Sequence, residues 1–269
     1  MKTPIAALAA ALLLASCATT TSPTGRTQYV GAVSQAQLNQ MGLEAFADTK
    51  TKMRASPDAK QQAYVRCIVT DIVRELPPNW QQLNWESVVF VDDNPNAFAL
   101  PGGKVGVHTG ILNVAKNQDQ LAAVIAHEIG HVYANHHDER VTRQIGAQGA
   151  LGVVGALAGS RYGEGAQQAT TQLGGAAAQG LFLLPGTRVQ ETEADVVGQD
   201  LMAKAGFDPR AAVALWQNMI AASGGSRPPQ WLSTHPDPQS RISELQTRAA
   251  SLVPTYEQAR AAGKRPRCG

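Results

Sequence analysis

The stretch His127-Glu128-Ile129-Gly130-His131 decides the fold, because it combines a metal-binding spacing with a helical context. Asn117, with Gln120 three residues later, is typical of a helix start. Residues four apart lie on one helix face, about 6 Å apart along the axis, so both imidazoles can reach one ion, while Glu128 is rotated by about 100° towards its water. We therefore predict a zinc site on a long helix that ends near His137. The core-facing residues of this helix are Leu121, Ala122, Ile125 and Ile129.

A catalytic zinc ion needs a third protein ligand and an open position for water. His137 has the spacing of the metzincin pattern, but that pattern has a glycine at the position of Ala134. An unbroken helix would carry His137 about 15 Å along the axis from His127. The other candidate is Glu191-Thr192-Glu193-Ala194-Asp195, on a second predicted helix. The residues alone leave both candidates open.

Two further motifs are Asn96-Ala97-Phe98-Ala99-Leu100-Pro101-Gly102-Gly103 and His235-Pro236 with Arg241. With the two stretches above, they resemble the HtpX-like and CAAX prenyl protease-type gluzincin family of zinc metallopeptidases, over about residues 35 to 250. The sequence is most similar to the short periplasmic lipoproteins of that family. The resemblance implies an α+β, mostly helical zincin-type domain, with a small β-sheet and an active-site helix that carries the two histidines.

The same resemblance implies one Zn²⁺ per chain, bound by His127, His131 and Glu191. It makes Asp195 a hydrogen-bond partner of a ligating histidine. Glu128 would act as general base and then carry the proton to the leaving amine.

His235 would either stabilise the oxyanion or occupy the zinc's open position in a resting state. Arg241 would hold His235 or the substrate backbone. An extended substrate would pair with an edge strand, and the substrate-binding residues would be Asn96, Ala97, Phe98, Ala99 and Leu100.

The amino terminus predicts an export signal over residues 1–16, since the apolar run after Lys2 is far shorter than the ~20 residues of a spanning helix. Leu14-Ala15-Ser16-Cys17 resembles the lipobox of bacterial lipoproteins, which implies cleavage before Cys17 and attachment to a membrane through lipid on Cys17. Ala18 after the cysteine resembles sorting signals for the outer membrane, facing the periplasm of a Gram-negative bacterium. Residues 17–30 would then be the lipidated cysteine and a flexible tether, and residues 31–269 the metallopeptidase domain.

Cys67 and Cys268 remain once Cys17 is set aside. An even pair in an oxidising periplasm predicts a disulfide between them. The apolar residues around Cys67 leave a buried thiol as the alternative.

The remaining periodicities predict helices over 35–53, 58–76, 187–205, 210–222 and 238–252, and a small antiparallel sheet from strands 87–93, 97–100 and 104–109. Residues 146–180, rich in glycine and alanine, fall between the second zinc histidine and Glu191. We interpret them as a helical hairpin and hypothesise a lid over the active site. We expect Phe98 to pack in the core. The polar side chains expected at the surface are His108, His136, His137 and Glu193.

The composition excludes two classes of protein. With 43% hydrophobic residues the chain is not disordered, and 23 basic against 21 acidic residues give a net charge of +2, too balanced for a nucleic-acid binder. We expect a zinc metalloendopeptidase that hydrolyses peptide bonds in unfolded or misassembled cell-envelope proteins, as periplasmic and outer-membrane quality control. The alternatives are a chaperone-like factor that binds outer-membrane proteins without cutting them, and a metzincin-type enzyme with His137 as ligand.

Overall fold

The computed structural model describes residues 18–147, 186–222, 235 and 238–269. The predicted export signal, Cys17 and nearly all of the hypothesised lid lie outside these residues. The chain divides into two compact units, Met1–Leu38 with His137–Phe182 and Asn39–His136 with Leu183–Gly269. In the described part of the chain, no helix is long and apolar enough to cross a membrane.

The first unit contains a hairpin where a flexible tether was expected. Strands β1 (Ala18–Thr21) and β2 (Thr27–Val30) pair antiparallel. Gly25, with a φ of 90°, permits the turn between them. Arg26 donates two hydrogen bonds to the carboxylate of Glu139, each 2.9 Å long. The tether prediction is wrong over residues 18–30, which form this hairpin, because a Thr-rich, Gly-containing stretch is also suited to two short strands and a turn.

The helices in the described residues are α1 (Gln35–Lys52), α2 (Ala59–Val73), α3 (Pro78–Gln81), α4 (Thr109–Val114), α5 (Gln118–Tyr133), α6 (Arg188–Ala205), α7 (Ala211–Ala222) and α8 (Pro238–Ala261). Four of these helices, α1, α2, α6 and α7, begin and end close to their predicted bounds, and the short helices α3 and α4 were not predicted. Thr187 and Gln190 form a capping box at the start of α6, and Gly206, with a φ of 86°, ends it. Helix α8 continues past its predicted end through Pro254, and Ala259 in this continuation is buried.

The sheet of the second unit contains β3 (Glu86–Phe90), β4 (Ala97–Leu100) and β5 (Lys104–His108), in the order β3-β5-β4. β4 and β5 form an antiparallel hairpin, whereas β3 is parallel to β5. The antiparallel prediction is therefore wrong for β3. β5 lies in the centre of the sheet, and β3, its second neighbour, runs in the same direction.

His108 is buried rather than exposed, with 4% of its surface accessible. It lies on the central strand β5, whose five residues are all buried. The Phe98 ring packs edge-on against the His108 imidazole, with 6.4 Å between the ring centroids, and Phe98 itself is buried as expected. The alternation of buried and exposed residues that predicted an exposed His108 applies to a sheet with one solvated face, and this strand is covered on both.

Helix α5 lies at the centre of the second unit. Every residue from Gln120 to Val132 is buried, and the apolar ones belong to one core with α2, the sheet, α6, α7 and α8. The Asn117 side chain accepts a hydrogen bond from the Gln120 backbone N–H, as predicted for the helix start.

Helix α5 ends four residues earlier than predicted. Asn135 has a φ of 55°, in the left-handed region that asparagine tolerates better than most residues. The chain therefore turns after Tyr133, and the expectation of an unbroken helix up to His137 is wrong.

The carboxy terminus is attached to the core. Cys67 on α2 and Cys268 form a disulfide, with their Cα atoms 5.5 Å apart. The Gln118 side chain accepts a hydrogen bond from the Cys268 backbone N–H and donates one to the Pro266 carbonyl. The last residues are thus linked both to α2 and to the first turn of α5.

Candidate metal centre

Small residues bring α5 and α6 into close contact. A Cβ atom added to Gly198 on α6 would lie 2.9 Å from the backbone nitrogen of His127, and one added to Gly130 on α5 would lie 2.9 Å from the Ala194 carbonyl oxygen. Side chains at these positions would hold the helices apart. The approach lets residues in the first turns of α6 reach the histidines of α5.

Four potential ligands meet at this crossing: His127, His131, Glu191 and His235 offer donor atoms that all lie within 4.8 Å of one another. The Nε2 atoms of His127 and His131 are 3.1 Å apart. The Glu191 carboxylate oxygens lie 3.5 Å from Nε2 of His127 and 3.6 Å from Nε2 of His131. All four residues are buried. We call these four residues the donor cluster.

The donor cluster fits a zinc ion. Two nitrogens bound tetrahedrally at about 2.05 Å are about 3.3 Å apart, close to the separations above. Nitrogen and carboxylate oxygen are donors that zinc prefers. Oε1 of Glu191 is buried and has no hydrogen-bond partner among the described residues, so a cation there would satisfy it.

Asp195 and Arg241 form the next layer around the cluster. Nδ1 of His127 is 2.9 Å from Oδ1 of Asp195, which leaves its Nε2 facing the cluster. Arg241 donates two hydrogen bonds to Asp195, 2.6 and 2.7 Å long, and one of 3.1 Å to Glu191. Its guanidinium lies over the Trp216 ring, 4.4 Å from the centroid. Arg241 also lies 3.5 Å from the His235 carbonyl oxygen, so of the two predicted contacts the structure contains the one to His235.

His235 lies between the zinc-ligand candidates and Glu128. Its Nδ1 is 2.7 Å from Oε2 of Glu191 and 3.1 Å from Nε2 of His127, while its Nε2 is 3.3 Å from Oε1 of Glu128. The carboxylate of Glu128 is buried. The structure thus brings the predicted general base and the predicted oxyanion or resting-state residue to the same place.

The pKa shifts of Glu191 and His131 favour the forms that bind a cation, whereas the shift of His127 favours its protonated form, which does not. Burial would raise the pKa of Glu191, but the neighbouring imidazoles of His235 and His131 lower it below its ordinary value. Burial lowers the pKa of His131 well below its ordinary value, so its ring is neutral. Burial would also lower the pKa of His127, but hydrogen bonds to Asp195 and Glu191 outweigh it and raise the pKa to about 9. Cation binding at His127 would therefore release a proton.

A model of peptidase family M48 matches residues 59–249, which contain the whole donor cluster. The chain belongs to peptidase family M48. This confirms the gluzincin resemblance and the mostly helical fold with a small sheet.

Several relatives with curated names share this part of the M48 chain. Mitochondrial metalloendopeptidase OMA1 of Schizosaccharomyces pombe is 41% identical over 172 residues, 61% of this chain and 46% of that protein. The beta-barrel assembly-enhancing protease of Escherichia coli is 36% identical over 174 residues, 62% of this chain and 35% of that protein. Mitochondrial metalloendopeptidase OMA1 of Bos taurus is 32% identical over 232 residues, 77% of this chain and 41% of that protein. The chain spans between about a third and a half of the length of these relatives.

Three side chains expected at the surface of the M48 domain are buried instead. His136 is fully buried and Glu193 is 3% exposed. Nδ1 of His136 is 2.8 Å from Nδ1 of His131, and Nε2 of His136 is 3.0 Å from Oε2 of Glu193. The turn at Asn135 places His136 beside His131, where a continuing helix would have carried it away. His137 is also buried and is not a member of the donor cluster.

The M48 strand motif forms β4, an edge strand of the sheet. Its outer side has no strand partner among the described residues. Ala97, Ala99 and Leu100 are each 2% exposed and Phe98 is 8% exposed, so this edge is covered in the structure. Oδ1 of Asn96 is buried and accepts no hydrogen bond from the described residues.

Sequence reasoning missed Trp216, because nothing in the sequence around it marks it as a platform for Arg241. It also missed the contact of His136 with His131. Asn135 is the signal that could have found this contact, since asparagine often occupies the left-handed turn after a helix.

Proposed function

We propose that this M48 chain is a zinc metalloendopeptidase that hydrolyses peptide bonds in unfolded or misassembled cell-envelope proteins. The observation that carries the proposal is the position of Glu128. Its Oε1 is 3.3 Å from Nε2 of His235, and the other side of the His235 ring faces the buried candidate ligands His127, His131 and Glu191. A general base beside an ion with an open position is the arrangement that peptide hydrolysis needs.

The residues have distinct roles in this proposal. His127, His131 and Glu191 would hold zinc, which when bound polarises the scissile carbonyl and makes water more acidic. Glu128 accepts a proton from the attacking water and delivers it to the leaving nitrogen, so that no covalent enzyme intermediate is formed. Asp195 keeps His127 in the orientation that offers Nε2, and Arg241 holds the carboxylates of Asp195 and Glu191.

His235 has one role in the resting site and another during the reaction. Its Nδ1 faces the cluster and its Nε2 faces Glu128. In the resting site it takes the position that substrate and water need, and when it is displaced its ring can donate a hydrogen bond to the developing oxyanion.

We propose that an extended substrate segment pairs with β4 through main-chain hydrogen bonds, and that Oδ1 of Asn96 accepts one from the substrate. The residues of β4 are only 2–8% exposed, so the segment that covers this strand must move aside before a substrate can pair with it. Only a segment without its own secondary structure can add to such an edge, which supports unfolded proteins as substrates.

The envelope as the site of action is supported by two features. The amino-terminal sequence has the pattern of a lipoprotein signal with lipid on Cys17, and one relative is named beta-barrel assembly-enhancing protease. Relatives named mitochondrial metalloendopeptidase are as similar, so the proposed periplasm-facing outer-membrane location rests on the amino terminus.

The first test measures bound zinc and cleavage of casein by the chain from residue 18 onward. We expect about one zinc per chain and cleavage by the wild type, and bound zinc without cleavage by Glu128→Gln. Glu44→Gln, an exposed carboxylate on α1, serves as the matched control and should cleave normally. Zinc with no cleavage by the wild type would favour the chaperone-like alternative, and absence of zinc would reject the site.

A second test identifies the third ligand. Glu191→Ala should lose zinc binding, because it removes the carboxylate that faces both histidines. His137→Ala should retain zinc, because His137 is outside the donor cluster. Zinc lost from His137→Ala and retained by Glu191→Ala would support the metzincin-type alternative.

A further inference from the structure

The two histidines of α5 are supported in different ways. Nδ1 of His127 is in direct contact with the carboxylate of Asp195. His131 instead contacts His136, whose other ring nitrogen contacts Glu193, with distances of 2.8 and 3.0 Å. These three residues are each at most 4% exposed. The Glu193 carboxylate on α6 is thus connected to His131 through the imidazole of His136.

The connection fixes where the protons lie if His131 is to bind a cation. Its Nε2 must offer a lone pair to the donor cluster, so its proton is on Nδ1. This Nδ1–H donates to Nδ1 of His136, which must therefore be bare. The proton of His136 is then on Nε2, where it donates to Glu193. This proton assignment satisfies both contacts, from His131 to His136 and from His136 to Glu193, and the Glu193 carboxylate selects it because it can only accept.

We propose that His136 and Glu193 are positioning residues that hold the His131 ring, with its Nε2 lone pair directed at zinc. The inference rests on the proposed zinc site and adds to it a histidine and a carboxylate that touch neither metal nor substrate. Partners of this kind are worth about 10–100-fold in metal affinity.

The test measures the zinc dissociation constant by competition with a chelator, on the chain from residue 18 onward. His136→Phe keeps a ring but removes the acceptor, and we expect zinc binding to weaken by about 10–100-fold. His136→Asn places an amide oxygen near the position of Nδ1, and should recover most of the affinity. His108→Phe is the matched control, a buried histidine outside the donor cluster, and should bind zinc like the wild type.

Each result has a defined meaning. Wild-type affinity in His136→Phe would overturn the proposal, and so would an equal loss in His136→Phe and His136→Asn when thermal unfolding shows both folded, since the acceptor would then be irrelevant. Wild-type protein without zinc would instead reject the proposed function.

A second measurement applies if His136→Phe does not fold. Histidine ring ¹⁵N NMR shifts of the zinc-loaded wild type should show His136 protonated at Nε2 and bare at Nδ1. A proton on Nδ1 of His136 would overturn the proposal. Glu193→Gln should weaken zinc binding in the same direction, because its amide can donate to His136 and favour the opposite proton placement.

Discussion

Arg241 contacts two carboxylates of α6, those of Glu191 in the donor cluster and of Asp195 beside it. It is 2% exposed, forms a two-bond pair with Asp195, contacts Glu191 and stacks on Trp216. Burial raises the energy of each carboxylate, and the guanidinium offsets that cost; the pKa of Asp195 is lowered by Arg241 despite burial. Arginine suits this position because its planar fork can reach several acceptors at once.

Arg241→Met should therefore destabilise the protein by about 3–5 kcal/mol, because it leaves buried carboxylates without a cation. Arg248→Met is the matched control on the same helix, since Arg248 pairs with Asp200 at a partly exposed position, and it should cost about 0–1 kcal/mol. Urea unfolding of both variants is measured without zinc, because bound metal would add to the apparent stability of the folded protein. If the two variants lost equal free energies of unfolding, the buried contacts of Arg241 would contribute no more to stability than the partly exposed pair of Arg248 with Asp200.

At the residue scale, the sequence predicts those side chains whose role follows from local spacing. His127, Glu128 and His131 lie within five consecutive residues of one helix, so their mutual positions follow from helix geometry. His136 and Glu193 were assigned to the surface because their contact depends on a turn at Asn135 and on the packing of α6 against α5. Neither is a local property, and the same holds for Trp216 under Arg241.

At the element scale, the crossing of α5 and α6 depends on glycine. The Cβ of Gly198→Ala would meet the backbone of Ala126 and His127, which cannot rotate away. We expect a destabilisation of about 1–3 kcal/mol, and weaker zinc binding because Glu191 would move away from the histidines.

Gly146→Ala is the control for this prediction, because Gly146 is in an exposed helical run and a Cβ there has open space around it. It should be neutral or stabilise by up to about 1 kcal/mol, through reduced freedom of the unfolded chain. Urea unfolding and zinc titration of both variants check the expectation. A Gly198→Ala protein with wild-type stability and zinc affinity would contradict the role given to the crossing.

The elements themselves were predicted well where capping signals mark them, as at Asn117 and Thr187. The direction of β3 was predicted wrongly, because a three-residue turn such as Pro101-Gly102-Gly103 indicates a hairpin of β4 and β5 but says nothing about a third strand. The order β3-β5-β4 is decided by how the sheet packs on α2 and α5, which are distant in sequence.

At the scale of the whole molecule, the disulfide connects the carboxy terminus to α2 across a sequence separation of 201 residues. A crosslink restricts the unfolded chain more as the loop it closes becomes longer, and the chain-entropy relation gives about 5 kcal/mol for a loop of this length. The donor cluster does not depend on the sulfurs directly, since its residues lie on α5, on α6 and at position 235. The crosslink should thus affect stability far more than zinc affinity.

The double variant Cys67→Ser with Cys268→Ser should lose about 2–5 kcal/mol in urea unfolding and keep its zinc dissociation constant at temperatures where it remains folded. Gln118→Ala separates the crosslink from the hydrogen bonds beside it, because it removes the contacts to Pro266 and Cys268 and leaves the disulfide. The free energy of unfolding of Gln118→Ala should fall by about 1 kcal/mol for each of the two hydrogen bonds removed. If the double variant lost no more than Gln118→Ala, the carboxy terminus would be held by its hydrogen bonds, and the long loop would contribute nothing measurable to stability.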